Sequence, residues 1–343
     1  MMKRTISLLL CAAMAASLLV GCSKDEQKGS ASSTGSQSSN VSSTPDPQSE
    51  GLRFNAMSGP TGMGAAWLMS GKGDESLKLQ SEVVADNTAI KDALVSGSVD
   101  VAAIATNMAA TLSAKTDGAI QVLAVNTLGV LYVLEKGDSV HSMADLKGKT
   151  IYATGQGANP EYVLNYLLTK NGVDPAEVDI QFLTPQEITA KMTSSESGIC
   201  MLPVPASTAL MMKDQNVRVA VNMSQAWEDL GEGSLPQGCI VARTQFIEEH
   251  PEQIEAFLTE YEKSINFMND EANREEAAKM VAELGIAPND KVAAQAIPQA
   301  SLTFVTGQEM RDMLEGYFTV LFEANPASIG GAMPYDAFYY GAN

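Results

Sequence analysis

The residues in this sequence that could bind a small molecule are hydroxyl, amide and glycine residues that follow strand-like segments. In open sheets of parallel strands, ligands bind beyond the carboxyl ends of the strands, where loops and helix N-termini converge. Glycine lets backbone N–H groups approach a ligand, and hydroxyl and amide groups can orient it. This rule selects the candidate ligand-binding residues Ser58, Gly59, Thr61, Gly62, Asp86, Asn87, Thr88, Thr106, Asn107, Thr154, Gly155, Gln156, Gly157, Asn159, Pro203 and Pro205. We add Trp227, which lies beside Gln225 in a predicted loop and offers a ring on which a ligand could stack.

Each of these segments also has a purely structural interpretation. Residues 58–64 could form only a tight connection between a strand and a helix, and residues 86–88 could serve only as a helix cap. Residues 154–159 are glycine-rich, but no Lys-Ser or Lys-Thr pair follows them, so they do not form a phosphate-binding P-loop. Contact with a ligand and a structural role therefore both stay open for these loops.

The candidate loops contain neither arginine nor lysine. A multiply charged anion usually recruits a guanidinium or an ammonium group, whereas a single negative charge can be held by the backbone donors of a helix N-terminus. We therefore expect a ligand that is neutral, weakly cationic or singly negative.

The sequence predicts no catalytic set, metal site or cofactor. His141 and His250 are isolated, without the HxxH or CxxC spacing that is typical of metal sites. Beyond residue 22 only Cys200 and Cys239 remain, and we expect them to be buried free thiols, although the two could pair. We expect a protein that is not an enzyme. A Ser-His-Asp set stays as the alternative, but both histidines are poorly placed for it.

The N-terminal segment predicts export and lipidation. Lys3 and Arg4 precede an apolar run over residues 6–20, which has the layout of a secretory signal and is short for a membrane span. The run ends in a motif that resembles the bacterial lipobox, Leu19-Val20-Gly21-Cys22. The resemblance implies a signal peptide over 1–21 and a lipid-bearing Cys22, which anchors the chain to a membrane. A plain signal peptide with a chance cysteine is the alternative.

Residues 22–50 are rich in Ser, Gly, Thr and Gln and contain almost no aliphatic side chains. Such a segment cannot bury enough apolar surface to fold, so we expect a disordered tether. A flexible coil of this length reaches roughly 30 Å root-mean-square. The tether would keep a folded body close to a membrane partner.

Length and charge limit the classes of protein to consider. The chain has 343 residues, enough for two lobes, and its net charge of −19 disfavours binding to nucleic acid or anionic lipid. From residue 51 onward, strand-like and helix-like segments alternate, which predicts an α/β fold of parallel sheets flanked by helices. A second unit of this kind begins near residue 144, a lone strand returns at 238–242, and three amphipathic helices come after it.

Three segments, taken in order, carry a resemblance to a known family. They are a helix-to-strand step over 93–102, the entry to the second unit over 145–151, and the helical segment 246–257 after the return strand. With the glycine-rich loop after the first strand, they resemble the type II periplasmic binding proteins. More narrowly, the chain is similar to the nitrate/sulfonate/taurine group that includes the thiamine-pyrimidine (NMT1/THI5-like) binding proteins.

The resemblance implies an architecture and a function. Lobe 1 would comprise residues 51–136 and 238–343, lobe 2 residues 137–237, and two hinge strands would lie near 132–135 and 239–242. The protein would be a monomeric lipoprotein on the outer face of a bacterial membrane that delivers a small solute to an ABC permease. Sulfonate, taurine, nitrate and thiamine-pyrimidine cargoes all stay open. The alternatives are the binding component of a sensor or chemoreceptor and, less favoured, an enzyme on the same fold. The pyrimidine-synthase relatives use a cysteine-rich segment that this chain lacks.

Overall fold

The computed structural model describes residues 51–85 and 87–342, with the side chain of Asn87 left out. The predicted signal peptide, the lipidated Cys22 and the tether to residue 50 lie outside the described residues, as does Asp86.

The described strands form two mixed sheets. Their bounds are β1 Arg53–Met57, β2 Gln80–Val84, β3 Val101–Ala105, β4 Ile120–Thr127, β5 Leu131–Lys136, β6 Thr150–Ala153, β7 Asp179–Phe182, β8 Gly198–Pro203, β9 Val217–Asn222, β10 Gly238–Arg243 and β11 Leu302–Val305. The first sheet has six strands in the order β11-β4-β10-β3-β1-β2, and the second has five in the order β7-β6-β8-β5-β9.

Helices flank both sheets. The α-helices are α1 Pro60–Met63, α2 Asn87–Ser96, α3 Thr106–Lys115, α4 Asn159–Lys170, α5 Pro185–Ser194, α6 Ala206–Lys213, α7 Met223–Glu228, α8 Thr244–Glu249, α9 Pro251–Asn269, α10 Arg274–Glu283, α11 Asp290–Ala296 and α12 Gly307–Ala324. A π-helical turn spans Leu68–Lys72, and 3-10 turns span Glu75–Leu77, Met143–Leu146, Pro175–Glu177, Glu271–Asn273, Ile297–Gln299, Pro326–Ile329 and Asp336–Phe338. Over the residues described, no helix has both the length and the apolar character that a bilayer span requires.

Most strands of each sheet run in one direction; one internal strand of each is reversed, and in the first sheet the edge strand β11 is also antiparallel to its neighbour β4. In the first sheet β10 is antiparallel to both β3 and β4, and in the second β5 is antiparallel to both β8 and β9. The α/β class with two sheets is confirmed, although the sheets are mixed rather than purely parallel. The reversed strands β5 and β10 contain the segments 132–135 and 239–242, which the family resemblance implies as the hinge.

The chain passes from the first sheet to the second at residues 128–130, between β4 and β5. The family resemblance implies that residues 131–136 belong to lobe 1, but β5 pairs along its whole length with β8, from Leu131 opposite Pro203 to Lys136 opposite Gly198. Sheet membership therefore puts β5 with the five-stranded sheet. We call the six-stranded sheet with its helices the first half, and the five-stranded sheet with its helices the second half.

The predicted amphipathic faces form the core. The residues of the α9 face are all buried, namely Ile254, Phe257, Leu258, Tyr261, Ile265 and Met268. On α12, Leu314, Tyr317 and Phe318 belong to an apolar cluster that also includes Val163 and Leu167 of α4. The first half and the second half thus share one continuous core where α12 packs against α4.

Each half also contains a buried carboxylate that is paired with arginine. Asp100, which is 1% exposed, accepts hydrogen bonds from Arg53 Nε at 2.8 Å and from Arg243 Nη2 at 2.7 Å. Glu135 of β5 accepts one from Arg218 Nη2 of β9 at 2.7 Å. The partners in these pairs are distant in sequence. Since an unpaired buried charge is costly, each pair favours the folded arrangement that brings its partners together.

We expect Asp100→Asn to lower the free energy of unfolding by about 2–4 kcal/mol at pH 7, because the partly buried guanidinium groups of Arg53 and Arg243 lose the buried charge that they pair with. Urea denaturation followed by circular dichroism measures this difference. The matched control is Asp92→Asn on α2, whose side chain is 67% exposed beside Lys91 and whose loss should have almost no effect. Equal effects of the two substitutions would contradict the structural role of the Asp100 pair.

The Asp100 pair should also have a pH signature. Burial raises the pKa of Asp100, but hydrogen bonds from Arg53 and Arg243 outweigh burial and hold the pKa below its ordinary value. Its stabilising effect is therefore complete above the unfolded-state pKa of about 3.9 and is lost as the pH falls through the lower folded-state pKa. The stability difference between the wild type and Asp100→Asn should be constant near neutral pH and shrink below about pH 4. A difference that is independent of pH down to about pH 2 would contradict this assignment.

Candidate functional site

A cavity of about 1050 Å³ lies between the two halves. The first half contributes residues 58–60, directly after β1, and residues 285–292, at the start of α11. The second half contributes residues 203–206 after β8, part of α5 and one face of α6. We call this cavity the cleft. Its volume suits a small organic molecule.

Local backbone chemistry sets the shape of the cleft wall after β1. The backbone N–H of Ser58 donates to the Val84 carbonyl at 2.8 Å, so the β1–β2 pairing continues to the cleft edge. Gly59 has φ 111° and ψ −155°, a conformation that side-chain-bearing residues rarely adopt. Pro60 then begins α1 at a position where its missing N–H is not needed.

The wall from the second half consists of helix starts. Thr184 caps α5 with a capping box in which Glu187 is the reciprocal partner, and this cap places Pro185, Gln186 and Thr189 at the cleft. After a cis Val204–Pro205 peptide bond, α6 presents Ala206, Ala209 and Lys213 to the cleft. Their spacing of three and four residues puts them on one helix face.

The cleft lining is mainly apolar. Five prolines contribute to it: Pro60, Pro185, Pro203, Pro205 and Pro288. Among the described residues that line it, the charged side chains are Lys213, Asp290 and Lys291, all exposed, and no arginine is present. The cleft therefore suits a ligand with an apolar body and little charge, with ammonium groups available only at exposed positions.

Four of the predicted ligand-binding residues line the cleft: Ser58, Gly59, Pro203 and Pro205. Sequence reasoning missed residues 185–189, 206–213 and 285–292. The strand-end rule could have found the first segment, because it directly follows β7. Segments 206–213 and 285–292 reach the cleft only through the way helices of the two halves pack, and no local sequence pattern indicates that packing.

Thr61 and Gly62 lie behind this wall and have structural partners. The carbonyl of Thr61 accepts a hydrogen bond from Asn126 Nδ2 at 3.0 Å. A Cβ on Gly62 would lie 2.4 Å from the Met57 carbonyl oxygen, so close backbone approach requires glycine there. The interpretation of this segment as a tight connection holds for these two residues.

Thr106 and Asn159 meet in a buried junction between the halves. Asn159 Nδ2 donates to Thr106 Oγ1 at 3.0 Å and to the Gln237 carbonyl at 2.9 Å. The Tyr317 hydroxyl donates to Asn159 Oδ1 at 3.0 Å, and the Thr106 hydroxyl donates to the Pro236 carbonyl at 2.8 Å. This Asn159 junction joins α3, α4, α12 and the segment that returns to β10. Thr106 and Asn159 are thus bonded to each other across the boundary between the halves and do not line the cleft.

The other predicted residues are spread around these two places. Asn107 is buried and donates to the Ser328 carbonyl at 3.3 Å, while its Oδ1 finds no partner among the described residues. Thr154 is buried, Gly155 is half-buried, and Gln156 and Gly157 are exposed; none of them lines the cleft. Thr88 is exposed at the start of α2, which begins at Asn87.

The prediction that Trp227 lies in a loop with its ring open to a ligand differs from the position that the structure gives it. Trp227 lies on the short helix α7 rather than in a loop, and it is fully buried. Its ring centroid lies 5.0 Å from that of Tyr166 and 5.6 Å from that of Tyr317. Trp227 therefore packs in the shared core next to the Asn159 junction.

The prediction of free thiols is confirmed, since Cys200 and Cys239 are both buried and unpaired. Burial raises the pKa of Cys200 to about 12 and that of Cys239 still further. Neither thiol is therefore ionised at neutral pH, as a nucleophile would have to be. In the part of the chain that the structure describes, no three His, Cys, Asp or Glu side chains are grouped to hold a metal ion.

Comparison with known proteins gives one family and a consistent fold. A family model described as "NMT1/THI5 like" matches residues 73–275. An ABC transporter protein from Parabacteroides distasonis has 20% identity and a TM-score of 0.72, over 84% of this chain and 98% of that one.

Two sulfonate-binding proteins share the fold. The periplasmic aliphatic sulphonate binding protein SsuA from Escherichia coli has 18% identity and a TM-score of 0.67, over 84% of this chain and 93% of its own. A putative periplasmic sulfonate-binding protein SsuA from Methylobacillus flagellatus has 19% identity and a TM-score of 0.64, over 86% and 91%. No curated protein sequence matches the chain significantly.

We expect Asn159→Ala to lower the free energy of unfolding by about 2–4 kcal/mol, because buried groups of Thr106, Gln237 and Tyr317 lose a partner. Chemical denaturation at neutral pH measures the change. Asn266→Ala on α9, an exposed asparagine, is the control and should be almost neutral. A neutral effect of Asn159→Ala would show that the Asn159 junction does not hold the halves together.

Proposed function

Because the chain belongs to the NMT1/THI5-like family, we propose that it is the solute-binding component of an ABC importer. It captures one small organic molecule in the cleft and presents the loaded form to a membrane permease. The observation that carries this proposal is the cleft itself, a cavity of about 1050 Å³ with walls from both sheets. Related folds include proteins named as binding aliphatic sulphonates.

In this proposal the two halves are lobes that close over the cargo. The chain crosses between them at residues 128–130 and again in the segment that leads from α7 to β10. Two short crossings permit a hinge rotation, and cargo that touches both lobes favours the closed state. Lobe 1 would then be residues 51–127 and 238–343, and lobe 2 residues 131–228.

The lining of the cleft favours a particular kind of cargo. Its apolar wall and its lack of arginine among the described residues suit a neutral, weakly cationic or singly charged molecule. Thiamine-type pyrimidines and alkyl sulfonates both meet this description. Ser58, Gly59, Pro203 and Pro205 would contact the cargo from opposite walls.

We further propose that the protein binds without catalysis and works as a lipid-anchored monomer outside the membrane. The N-terminal motif that ends at Cys22 supports acylation, and the polar segment to residue 50 supports a tether. The buried thiols of raised pKa offer no nucleophile.

A thermal-shift screen over taurine, short alkanesulfonates, nitrate and thiamine pyrimidine precursors tests the cargo proposal. Cargo at about a hundredfold excess over its Kd stabilises the folded state by about 2.7 kcal/mol, a rise of several degrees in Tm. We expect at least one of these compounds to raise Tm and none to be consumed.

The variant Ala209→Trp, which fills the cleft from α6, should abolish that shift. Val219→Trp is the control in the same half, because Val219 is 41% exposed on β9 and lies outside the cleft. The proposal fails if no compound shifts Tm, or if Ala209→Trp binds the active compound as well as Val219→Trp does.

A further inference from the structure

A second cavity of about 490 Å³ lies between α4 of the second half and α12 of the first half. It shares no lining residue with the cleft. We call it the α4–α12 groove. Because its walls come from both halves, anything bound there contacts both.

The α4–α12 groove is rich in acceptors and has net negative charge. Glu232, whose side chain is 23% exposed, and the exposed Glu323 of α12 face one ammonium, that of Lys170. Asn165 also lines the groove, and its buried Oδ1 accepts no hydrogen bond from the described residues. Two carboxylates against one ammonium leave one negative charge unbalanced.

The aromatic side of the groove indicates the same kind of ligand. Tyr162 and Tyr166 line it, and Tyr166 donates its hydroxyl proton to Glu232. Lys170 Nζ lies 5.2 Å from the centroid of the Tyr166 ring, so an ammonium already rests against this surface. Burial, the hydrogen bond to Glu232 and the charges of Glu232 and Glu323 raise the pKa of Tyr166, which is consistent with a negative local potential.

We propose that the α4–α12 groove is a second binding site, separate from the cleft, for a primary alkylammonium ion. The ammonium group pairs with Glu323 and Glu232, and the alkyl chain lies along the tyrosine rings and the apolar side chains of α12. Such a ligand contacts both halves and stabilises their present arrangement.

The chain contains its own reporter for this site. It has two tryptophans, and the Trp227 ring lies 5.0 Å from that of Tyr166. The variant Trp67→Phe leaves Trp227 as the single emitter. We expect its fluorescence to change saturably with n-butylammonium chloride up to about 10 mM, which covers a Kd of about 1 mM. Neither sodium chloride nor the neutral butan-1-ol should reproduce this change.

Two substitutions in this background should act in opposite directions. Glu323→Gln should weaken n-butylammonium binding about three- to tenfold, since it removes an attracting charge. Lys170→Met should strengthen binding, because it removes the competing ammonium, whereas a merely structural lysine would not. Glu309→Gln, an exposed acid on α12 outside the groove, is the matched control and should leave binding unchanged.

The variant Ala209→Phe fills the cleft without adding a tryptophan, so Trp227 stays the single emitter. It separates this site from the cargo site and should leave n-butylammonium binding unchanged. The proposal is overturned if Trp227 shows no saturable response, if butan-1-ol acts as well as n-butylammonium, or if Glu323→Gln has no effect. Loss of the response in Ala209→Phe would place the ion in the cleft and also overturn it.

Discussion

The side-chain amide of Asn159 makes three hydrogen bonds in a buried junction, and the mutual arrangement of the two sheets depends on it. Its partners come from α3, α12 and the segment returning to β10, whereas Asn159 itself begins α4. An unpaired amide in this position would cost about 1–3 kcal/mol for each group left without a partner. The amide of Asn159 therefore keeps its hydrogen-bond partners only when the two halves are in contact at the Asn159 junction.

This constraint accounts for the position of the cleft. Next to the Asn159 junction, Trp227 packs between Tyr166 and Tyr317 and closes the boundary between the halves with an apolar core. The cleft remains between other segments, where the residues leading into α6 and α11 bring prolines and α6 brings short side chains. A hinge rotation that opens the cleft and keeps the Asn159 junction would pivot about the α4–α12 contact. Asp100 and Glu135 each pair with arginine of their own half, so these two ion pairs do not cross the boundary between the halves.

Much of this architecture could be predicted from sequence, because its signals are local. Strand and helix periodicity indicates two α/β units and a return strand, and the spacing of the α9 face identifies it as core. The sheet to which β5 belongs could not be predicted in this way. Residues 131–136 have the pattern of a strand in either sheet, and strand pairing depends on tertiary structure. The burial of Trp227 could not be predicted either. Its helix α7 is short and has polar residues beside Trp227, so its sequence resembles that of a loop.

The site was only partly predictable. The strand-end rule selected Ser58, Gly59, Pro203 and Pro205, which line the cleft, because a strand end is visible in sequence. It also selected Thr106 and Asn159, which lie at strand ends but bond to each other in the Asn159 junction. Which polar group faces a ligand and which faces the other half depends on how two distant segments dock, and no local pattern encodes that.

The central claim is that one solute is held between the halves, and a crystal structure of the complex with a solute that raises Tm tests it most directly. The account predicts that the solute occupies the cleft and touches both Ser58 or Gly59 and the segment 203–206, with the Asn159 junction intact. A solute bound to one half alone, or outside the cleft, would contradict it.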